Sequence, residues 1–282
     1  MKKLLSDALL LAGASDVGVC RARIYDEISE YMKKTVDFSA NDYQKRINPF
    51  LIMPSAKSVI VFVVSYKSGL SGNISSYAYG RDYHAVTNEI ADAAIKILEQ
   101  NGYGGKSFSD TGDLCDRHLA YLAGLGFFGK NHMLIHPKFG SFIFIGYILT
   151  DCPLKEDSPL EKSCIDCGKC IESCPSGALS DNDFSKCLSH LTQKKGELSE
   201  NEKALIKKGE LIWGCDICQK VCPYNKNAPD ASNPAFCSDL ITELDIGEMS
   251  NREFLRKFKD RAFSWRGKNV IKRNIDIKNE ND

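Results

Sequence analysis

The chain has 282 residues, 43% of them hydrophobic, which is enough to bury the core of one large domain or two smaller ones. Its 37 basic and 37 acidic side chains balance, so the overall charge gives no electrostatic argument for a nucleic-acid-binding protein. The amino-terminal apolar run is interrupted by Asp7, and no run approaches the ~18 apolar residues that a membrane-spanning helix needs. We therefore expect a cytoplasmic protein without a membrane partner.

The first half of the chain alternates predicted strands and helices. Residues 58–66 form a β-branched apolar run that predicts a strand buried on both faces. Residues 86–101 place apolar side chains on one face before Asn101-Gly102, which predicts a helix with a glycine stop. The further predicted elements are a helix over 114–125 and strands over 133–135 and 141–150. This order predicts a three-layer α/β domain over residues 1–150.

Eight of the twelve cysteines lie in one stretch with iron–sulfur spacing. The runs are Cys164-x2-Cys167-x2-Cys170-x3-Cys174-Pro175, then Cys187, then Cys215-x2-Cys218-x3-Cys222-Pro223. In bacterial ferredoxins, three closely spaced thiolates hold one 4Fe–4S cluster, and the fourth, before proline, binds the other. This rule assigns cluster 1 to Cys164, Cys167, Cys170 and Cys222, and cluster 2 to Cys174, Cys187, Cys215 and Cys218.

Disulfides and structural zinc are the alternatives for this pattern, since both use short Cys-x2-Cys spacings. Disulfides are disfavoured in a cytosolic chain, where thiols stay reduced. Zinc rarely explains eight thiolates in two interlocked runs that each end in Cys-Pro. The four remaining cysteines are expected to be buried apolar thiols: Cys20, Cys115, Cys152 and Cys237.

Three regions are expected along the chain. Residues 1–150 form the α/β cofactor and substrate domain, residues 151–237 a ferredoxin-like two-cluster domain with a helical insertion at 188–211, and residues 238–282 a basic helical tail. From residue 251 onward the tail has ten basic and five acidic side chains, which permits phosphate contacts, although a solvated helix face is the common alternative. Two clusters form an electron relay, so the α/β domain should house an electron acceptor or a substrate.

The motifs of the first domain leave its ligand open. No strand is followed by Gly-x-Gly-x-x-Gly, and no Walker A pattern occurs. Asp82-Tyr83-His84 resembles the start of a cobalamin motif, but Thr87 stands where that motif has glycine. Asp110 and Asp113 are candidates for a helix cap or for chemistry. The glycines of residues 124–132 suit either close approach to a ligand or a tight turn.

Taken together, short segments along essentially the whole chain resemble the epoxyqueuosine reductase family. They are residues 79–84, 110–112, 116–117, 124–131, 139–141, 186–192, 214–219 and 264–268, with the two cysteine runs. The resemblance implies an oxidoreductase with cobalamin and two 4Fe–4S clusters that converts epoxyqueuosine to queuosine at the wobble position of tRNA, using an external one-electron donor. Many members continue into a HEAT-repeat domain, whereas this sequence ends soon after Arg273, so we expect a short form.

The resemblance also implies roles for individual residues. Asp110 corresponds to an acid that protonates the epoxide oxygen, and burial beside an apolar cofactor would raise its pKa for that task. The supporting active-site positions are Asp82, His84 and Arg117. The candidate corrin contacts are Lys130 and Asn131, and the candidate tRNA phosphate contacts are Arg266, Lys268 and Arg273.

Two other functions explain part of the pattern. A corrinoid reductive dehalogenase acting on a small molecule would use the same cofactors but would not need a basic tail. A non-catalytic ferredoxin-type electron carrier requires only the cysteines. Stoichiometric corrinoid binding would exclude the carrier, and an assay on epoxyqueuosine-containing tRNA would separate the two enzymes.

Overall fold

The computed structural model describes residues 1–34 and 43–280, which divide into two compact units. Unit 1 comprises Met1–Ser65 and Tyr83–Ile165, and unit 2 comprises Tyr66–Asp82 and Asp166–Asp282. The division departs from the contiguous domains expected from sequence, because an early segment joins the cysteine region and the basic tail shares a unit with both. In the two described stretches, no helix is both long and apolar enough to cross a bilayer.

Unit 1 is built on an antiparallel sheet. Its strands are β1 (Asp16–Arg21), β2 (Ser58–Ser65), β3 (Gly105–Ser109), β4 (Phe127–Phe128), β5 (Leu134–Ile135) and β6 (Ile143–Thr150). Its helices are α1 (Lys2–Leu11), α2 (Ser29–Lys34), α3 (Tyr43–Ile47), α4 (Tyr83–Gln100) and α5 (Asp116–Leu122). The main sheet has the order β1-β2-β6-β3, and β4 and β5 form a separate hairpin. Its two central strands are buried along their whole length, as expected for apolar, β-branched runs.

Helices cover both faces of this sheet. Val59, Val61 and Val63 of β2 form one core cluster with Leu119 and Ala120 of α5. Successive strand residues point to opposite faces, so the intervening residues of β2 face the other side. There α1 packs on α4, and α4 packs on β3 and β6. The predicted three-layer α/β architecture is therefore confirmed.

The predicted elements recur with shifted ends, and three strands escaped prediction: β1, β3 and the two-residue β4. The predicted helix over 114–125 is shorter, because Gly124 has a φ of 73° that stops it. Strand β3 was missed because its sequence, GKSFS, is largely polar and lies at the sheet edge. Strand β1 was missed because it contains Gly18, and glycine is a poor strand former. A Cβ at this position would lie 2.2 Å from the carbonyl oxygen of Ala123. That glycine lets β1 approach the end of α5.

Unit 2 contains short helices around an aromatic core. The helices are α6 (Lys169–Glu172), α7 (Leu188–Leu191), α8 (Glu200–Lys208), α9 (Ile217–Lys220), α10 (Pro223–Lys226), α11 (Pro234–Cys237), α12 (Asn251–Phe258) and α13 (Lys268–Asn279). Ile74 pairs with Trp213 in a parallel bridge, and both pack with Phe254, Phe258 and Phe263. One core thus joins the 66–82 segment, the cysteine region and the tail, which explains why the tail is not separate.

Buried polar side chains hold the backbone of unit 2. The amide of Asn274, which is 0% exposed, donates to the carbonyls of Thr192 at 2.7 Å and Ile212 at 2.9 Å. The buried Arg261 guanidinium donates to the carbonyl of Tyr79 at 3.1 Å. Carbonyl groups without secondary-structure partners need such donors when they are removed from water.

Candidate active site and cluster-binding residues

A polar cluster in unit 1 surrounds Asp110. This residue follows β3 and has a φ of 51°, a conformation that aspartate tolerates better than most residues. The Tyr83 hydroxyl donates a hydrogen bond to Asp110 Oδ2, and His84 Nε2 lies 3.7 Å from the same oxygen. The Tyr83 ring stacks against His84 and Phe144, with centroid separations of 4.2 and 4.4 Å. The first turn of α4 and strand β6 thereby fix the groups that face the carboxylate.

Two carboxyl groups in this cluster have pKa values shifted in opposite directions. Partial desolvation opposes the ionisation of Asp110, whose side chain is 58% exposed, but His84, Tyr83 and the charge of Arg117 outweigh this effect, so the pKa of Asp110 is lowered. Asp116 behaves in the opposite way: burial, followed by the charge of Asp110, raises its pKa to about 6. The site therefore contains two carboxyl groups with separated pKa values, the usual arrangement of an acid–base site.

Arg117 links this cluster to the turn between β4 and β5. Its guanidinium donates to the carbonyl of His132 at 2.6 Å, and its charge acts on Asp110. The residue at the N-cap of α5 is Cys115, without a side-chain capping bond, so the capping interpretation of Asp110 and Asp113 is wrong for this helix. Their carboxylates are therefore available for another role.

The structure brings His84 and Arg117 to Asp110 but groups Asp82 with unit 2. The backbone amide of Asp82 donates to the carbonyl of Asp260 at 2.6 Å. Sequence reasoning missed Tyr83, which makes the direct hydrogen bond to the proposed acid. Its position inside the Asp82-Tyr83-His84 motif was the available signal.

The glycine-rich turn is explained by internal packing. A Cβ on Gly126 would lie 2.7 Å from a β5 carbonyl oxygen, and one on Gly129 would lie 2.6 Å from Asn131 Oδ1. The buried Asn131 side chain accepts a hydrogen bond from the Met133 amide at 3.3 Å. Asn131 therefore shapes the turn, whereas Lys130 is exposed on it.

Electrostatic interactions associate three of the four cysteines proposed for the second cluster. None of the twelve cysteines, all of which lie in the described residues, forms a disulfide. The charges of Cys187 and Cys174 act on Cys215, so these three sulfurs share one neighbourhood. Burial raises the pKa of Cys187, and backbone amides of His190 and Ser189 lower it. Hydrogen bonds from amides to sulfur are the usual support of a cluster thiolate, so the donor set fits an iron–sulfur cluster.

The four outer cysteines follow the expectation with one exception. Cys20, Cys115 and Cys152 are buried, whereas Cys237 is exposed, so the prediction of a buried thiol is wrong there. Cys237 ends the one-turn helix α11, whose buried contact is made by Phe236 instead.

The three basic candidates of the tail differ in their surroundings. Lys268 Nζ donates to the carbonyl of Met249 at 2.5 Å, and Arg273 donates to the carbonyls of Lys194 and Gly196 at 2.8 and 3.0 Å. These two cations therefore hold loops together. Arg266 instead lies with its guanidinium carbon 3.6 Å from the ring centroid of Trp265, which is 54% exposed. The stacked Arg266 and Trp265 side chains lie at the protein surface, whereas Lys268 and Arg273 make hydrogen bonds within the protein.

Comparisons with known proteins place the chain in a family. The model for "Epoxyqueuosine reductase QueG, DUF1730" matches residues 46–111, and that for "4Fe-4S double cluster binding domain" matches residues 163–225. The epoxyqueuosine reductase of Bacillus cereus is 36% identical over an alignment of 290 residues, gaps included. The alignment covers 93% of this chain and 75% of the relative. The chain belongs to the epoxyqueuosine reductase family. The prediction of two 4Fe–4S clusters is thereby confirmed, and the family is one of oxidoreductases.

Solved structures agree with this assignment. An epoxyqueuosine reductase crystallised with a tRNA-Tyr epoxyqueuosine-modified stem loop is 32% identical, with a TM-score of 0.89 over 98% of this chain and 80% of that chain. A catabolic reductive dehalogenase is 20% identical, with a TM-score of 0.50 over 79% of this chain and 32% of that one. The second likeness shows a shared fold alone.

Proposed function

We propose that this chain reduces epoxyqueuosine to queuosine at the wobble position of tRNA, with two 4Fe–4S clusters and cobalamin as cofactors. The observation that carries the proposal is the Tyr83–His84–Asp110–Arg117 cluster in a chain that also has a double-cluster domain. Membership of the family supports the reaction, and the relative crystallised with a modified stem loop supports the tRNA partner. The protein acts where that tRNA is found, in the cytoplasm.

The reaction removes the epoxide oxygen and takes two electrons and two protons. One carbon–oxygen bond breaks, and the oxygen that leaves this carbon as an alkoxide takes up the first proton. The second carbon–oxygen bond then breaks as a carbon–carbon double bond forms, and the oxygen leaves as water with the second proton. An external one-electron donor supplies the electrons singly through the clusters. Cobalamin, when bound, supplies the reactive metal at which the epoxide is reduced.

Asp110 is the proposed proton donor. Its pKa is lowered in this structure, so it is ionised near neutral pH. Enclosure by the substrate would remove water from Asp110 and raise its pKa, which allows it to hold and deliver a proton. Tyr83 and His84 orient the carboxylate, and Arg117 supplies a nearby positive charge that stabilises the anion left after transfer.

The β4–β5 hairpin has side chains that fit a large macrocycle with amide arms. Phe128 is 41% exposed, and Lys130 is exposed two residues later. An exposed aromatic ring beside a cation offers both apolar contact and a hydrogen-bond donor. We propose Lys130 for the corrin contact and keep Asn131 as the residue that shapes the turn.

The proposed cluster ligands make a direct test possible. Cys187→Ser removes a ligand of cluster 2 alone, so the protein should retain roughly half of its iron, given four thiolates per cluster. The exposed Cys237 supplies the control, since Cys237→Ser should keep all of it. Full iron content in Cys187→Ser would contradict the ligand assignment.

An activity assay tests the function itself. Reconstituted protein with cobalamin and a chemical one-electron reductant should convert epoxyqueuosine in a tRNA anticodon stem loop to queuosine, detected by mass spectrometry of the nucleosides. The isolated stem loop suffices because unpaired loop bases can be captured individually. Stoichiometric cobalamin binding without conversion of the nucleoside would favour a reductase of another substrate.

A further inference from the structure

The two Cys-x2-Cys pairs differ in the placement of one carboxylate. The pairs read Cys164-Ile165-Asp166-Cys167 and Cys215-Asp216-Ile217-Cys218, with the same two residue types in opposite order. Asp216 is 1% exposed, whereas Asp166 is exposed and has a φ of 59°. One proposed cluster therefore has a buried carboxylate within its ligand loop, and the other has a solvated one.

The Asp216 side chain contacts a separate segment of unit 2. It stands at the N-cap of α9 but makes no side-chain capping bond, the usual role of aspartate there. The Ser75 hydroxyl instead donates to Oδ1, and the Ser76 amide donates to Oδ2 at 2.7 Å. Both donors are uncharged, and both oxygens accept, as an ionised carboxylate requires.

This contact lies inside a tightly packed pair of segments. The Ser75 amide donates to the carbonyl of Trp213 at 2.8 Å, and a Cβ on Gly214 would lie 2.4 Å from the Ser75 Cβ. The charge of Asp216 also reaches neighbouring rings: after burial, it is the next cause that raises the pKa values of Tyr66 and Tyr79. The carboxylate thus acts in an interior where water screens it little.

We propose that Asp216 tunes the electron relay by lowering the reduction potential of the cluster bound by Cys174, Cys187, Cys215 and Cys218. Reduction adds an electron, and a buried negative charge beside the ligands opposes that addition. The exposed Asp166 is screened by water and exerts a weaker effect on the other cluster. Asp216 thereby makes its own cluster a stronger electron donor. The proposal rests on the proposed cluster assignment.

A redox titration of the reconstituted holoprotein tests the idea, with the two clusters followed by EPR spectroscopy. The ratio of reduced to oxidised cluster 2 is measured at the wild-type midpoint potential. Asp216→Asn should raise this ratio about tenfold, which corresponds to a midpoint potential about 59 mV higher for a one-electron couple. The matched variant Asp166→Asn should change the ratio of either cluster by less than about twofold. Equal shifts in the two variants, or no shift in Asp216→Asn, would overturn the proposal.

If Asp216→Asn loses iron, Ser75→Ala tests the proposal instead, because it changes the hydrogen bonding of the Asp216 carboxylate without changing the ligand loop. It keeps the Cβ that packs on Gly214 but removes a donor that partly neutralises the carboxylate. The reduced-to-oxidised ratio of the same cluster should therefore fall, by about twofold. A rise or no change would overturn the proposal. Failure of the cluster assignment itself looks different, because Cys187→Ser would then remove a signal other than the one that shifts in Asp216→Asn.

Discussion

The two units achieve their folds by different means. In unit 1, apolar side chains of β2 and β6 lie between helical layers, so stability is distributed over many equivalent contacts. In unit 2, one-turn helices and loops leave many backbone groups unpaired, and single buried side chains such as Asn274 and Arg261 satisfy them. A sheet domain can therefore carry a strained polar site at its edge, whereas the cluster unit adds a few buried polar side chains to its aromatic core.

The largest expected effect lies in the polar site of unit 1. Asp110→Asn should slow epoxide reduction by about 100-fold or more, the scale of a lost proton donor, because an amide cannot deliver the proton. Cluster and cobalamin spectra should remain unchanged, since the sheet that supports the loop is intact. Single-turnover rates on the modified stem loop measure the effect, with Asp113→Asn as the control in the same loop. Near-normal turnover in Asp110→Asn would remove it from the mechanism.

The polar interior of unit 2 should be more sensitive than its size suggests. Asn274→Ala leaves the carbonyls of Thr192 and Ile212 buried without their donor, which should cost about 2–5 kcal/mol of unfolding free energy. The exposed Asn279 on the same helix is the matched control, and Asn279→Ala should change stability by less than about 0.5 kcal/mol. Urea unfolding followed by Trp213 fluorescence compares them, because Trp213 lies in the unit 2 core. Equal losses would refute the stabilising role of the buried Asn274 amide.

The pKa of Asp116 gives unit 1 a defined pH dependence. Its value of about 6 exceeds the 3.8 of an unperturbed aspartate, so the folded state binds the proton more tightly than the unfolded state. The resulting stabilisation is complete below pH 3.8 and is lost as the pH rises through 6, a change of up to about 3 kcal/mol. Asp116→Asn should therefore exceed the wild type in unfolding free energy at pH 7.5 and approach it at pH 4.5. Because the charge of Asp110 contributes to the shift, Asp110→Asn should weaken the same pH dependence.

Sequence patterns predicted those parts of the fold whose signal is local. The run at 58–66 is apolar and β-branched throughout, and the helix over 86–101 has a continuous apolar face, so both were recovered. The assignment of residues 66–82 to unit 2 could not be foreseen, since it depends on Ile74 meeting Trp213 about 140 residues later. Long-range pairing of this kind leaves no periodicity in either segment.

The site was predictable in its residue types and not in its electrostatics. The family resemblance indicated Asp110, Asp82, His84 and Arg117, but the lowered pKa of Asp110 arises from the His84 ring and the Tyr83 hydroxyl that the fold brings to it. Burial alone would have raised that pKa. The outcome depends on the number of polar partners, which residue spacing does not specify.

The smallest expected effect concerns Arg266 and Arg273, two cations of unit 2 with different surroundings. Arg266→Gln should reduce the slope of log tRNA affinity against log salt by roughly 0.7 to 0.9, the change for one lost phosphate contact. Arg273→Gln should leave this slope unchanged and lower stability instead, because its guanidinium serves the carbonyls of Lys194 and Gly196. Affinities measured by fluorescence anisotropy across a salt series, with urea unfolding of each variant, separate the two roles.

A slope change in Arg273→Gln equal to that in Arg266→Gln would place both cations on the phosphates. If the wild type and both variants have identical slopes, Arg266 makes no phosphate contact. The Arg266–Trp265 stack would then contact tRNA by stacking on an unpaired base.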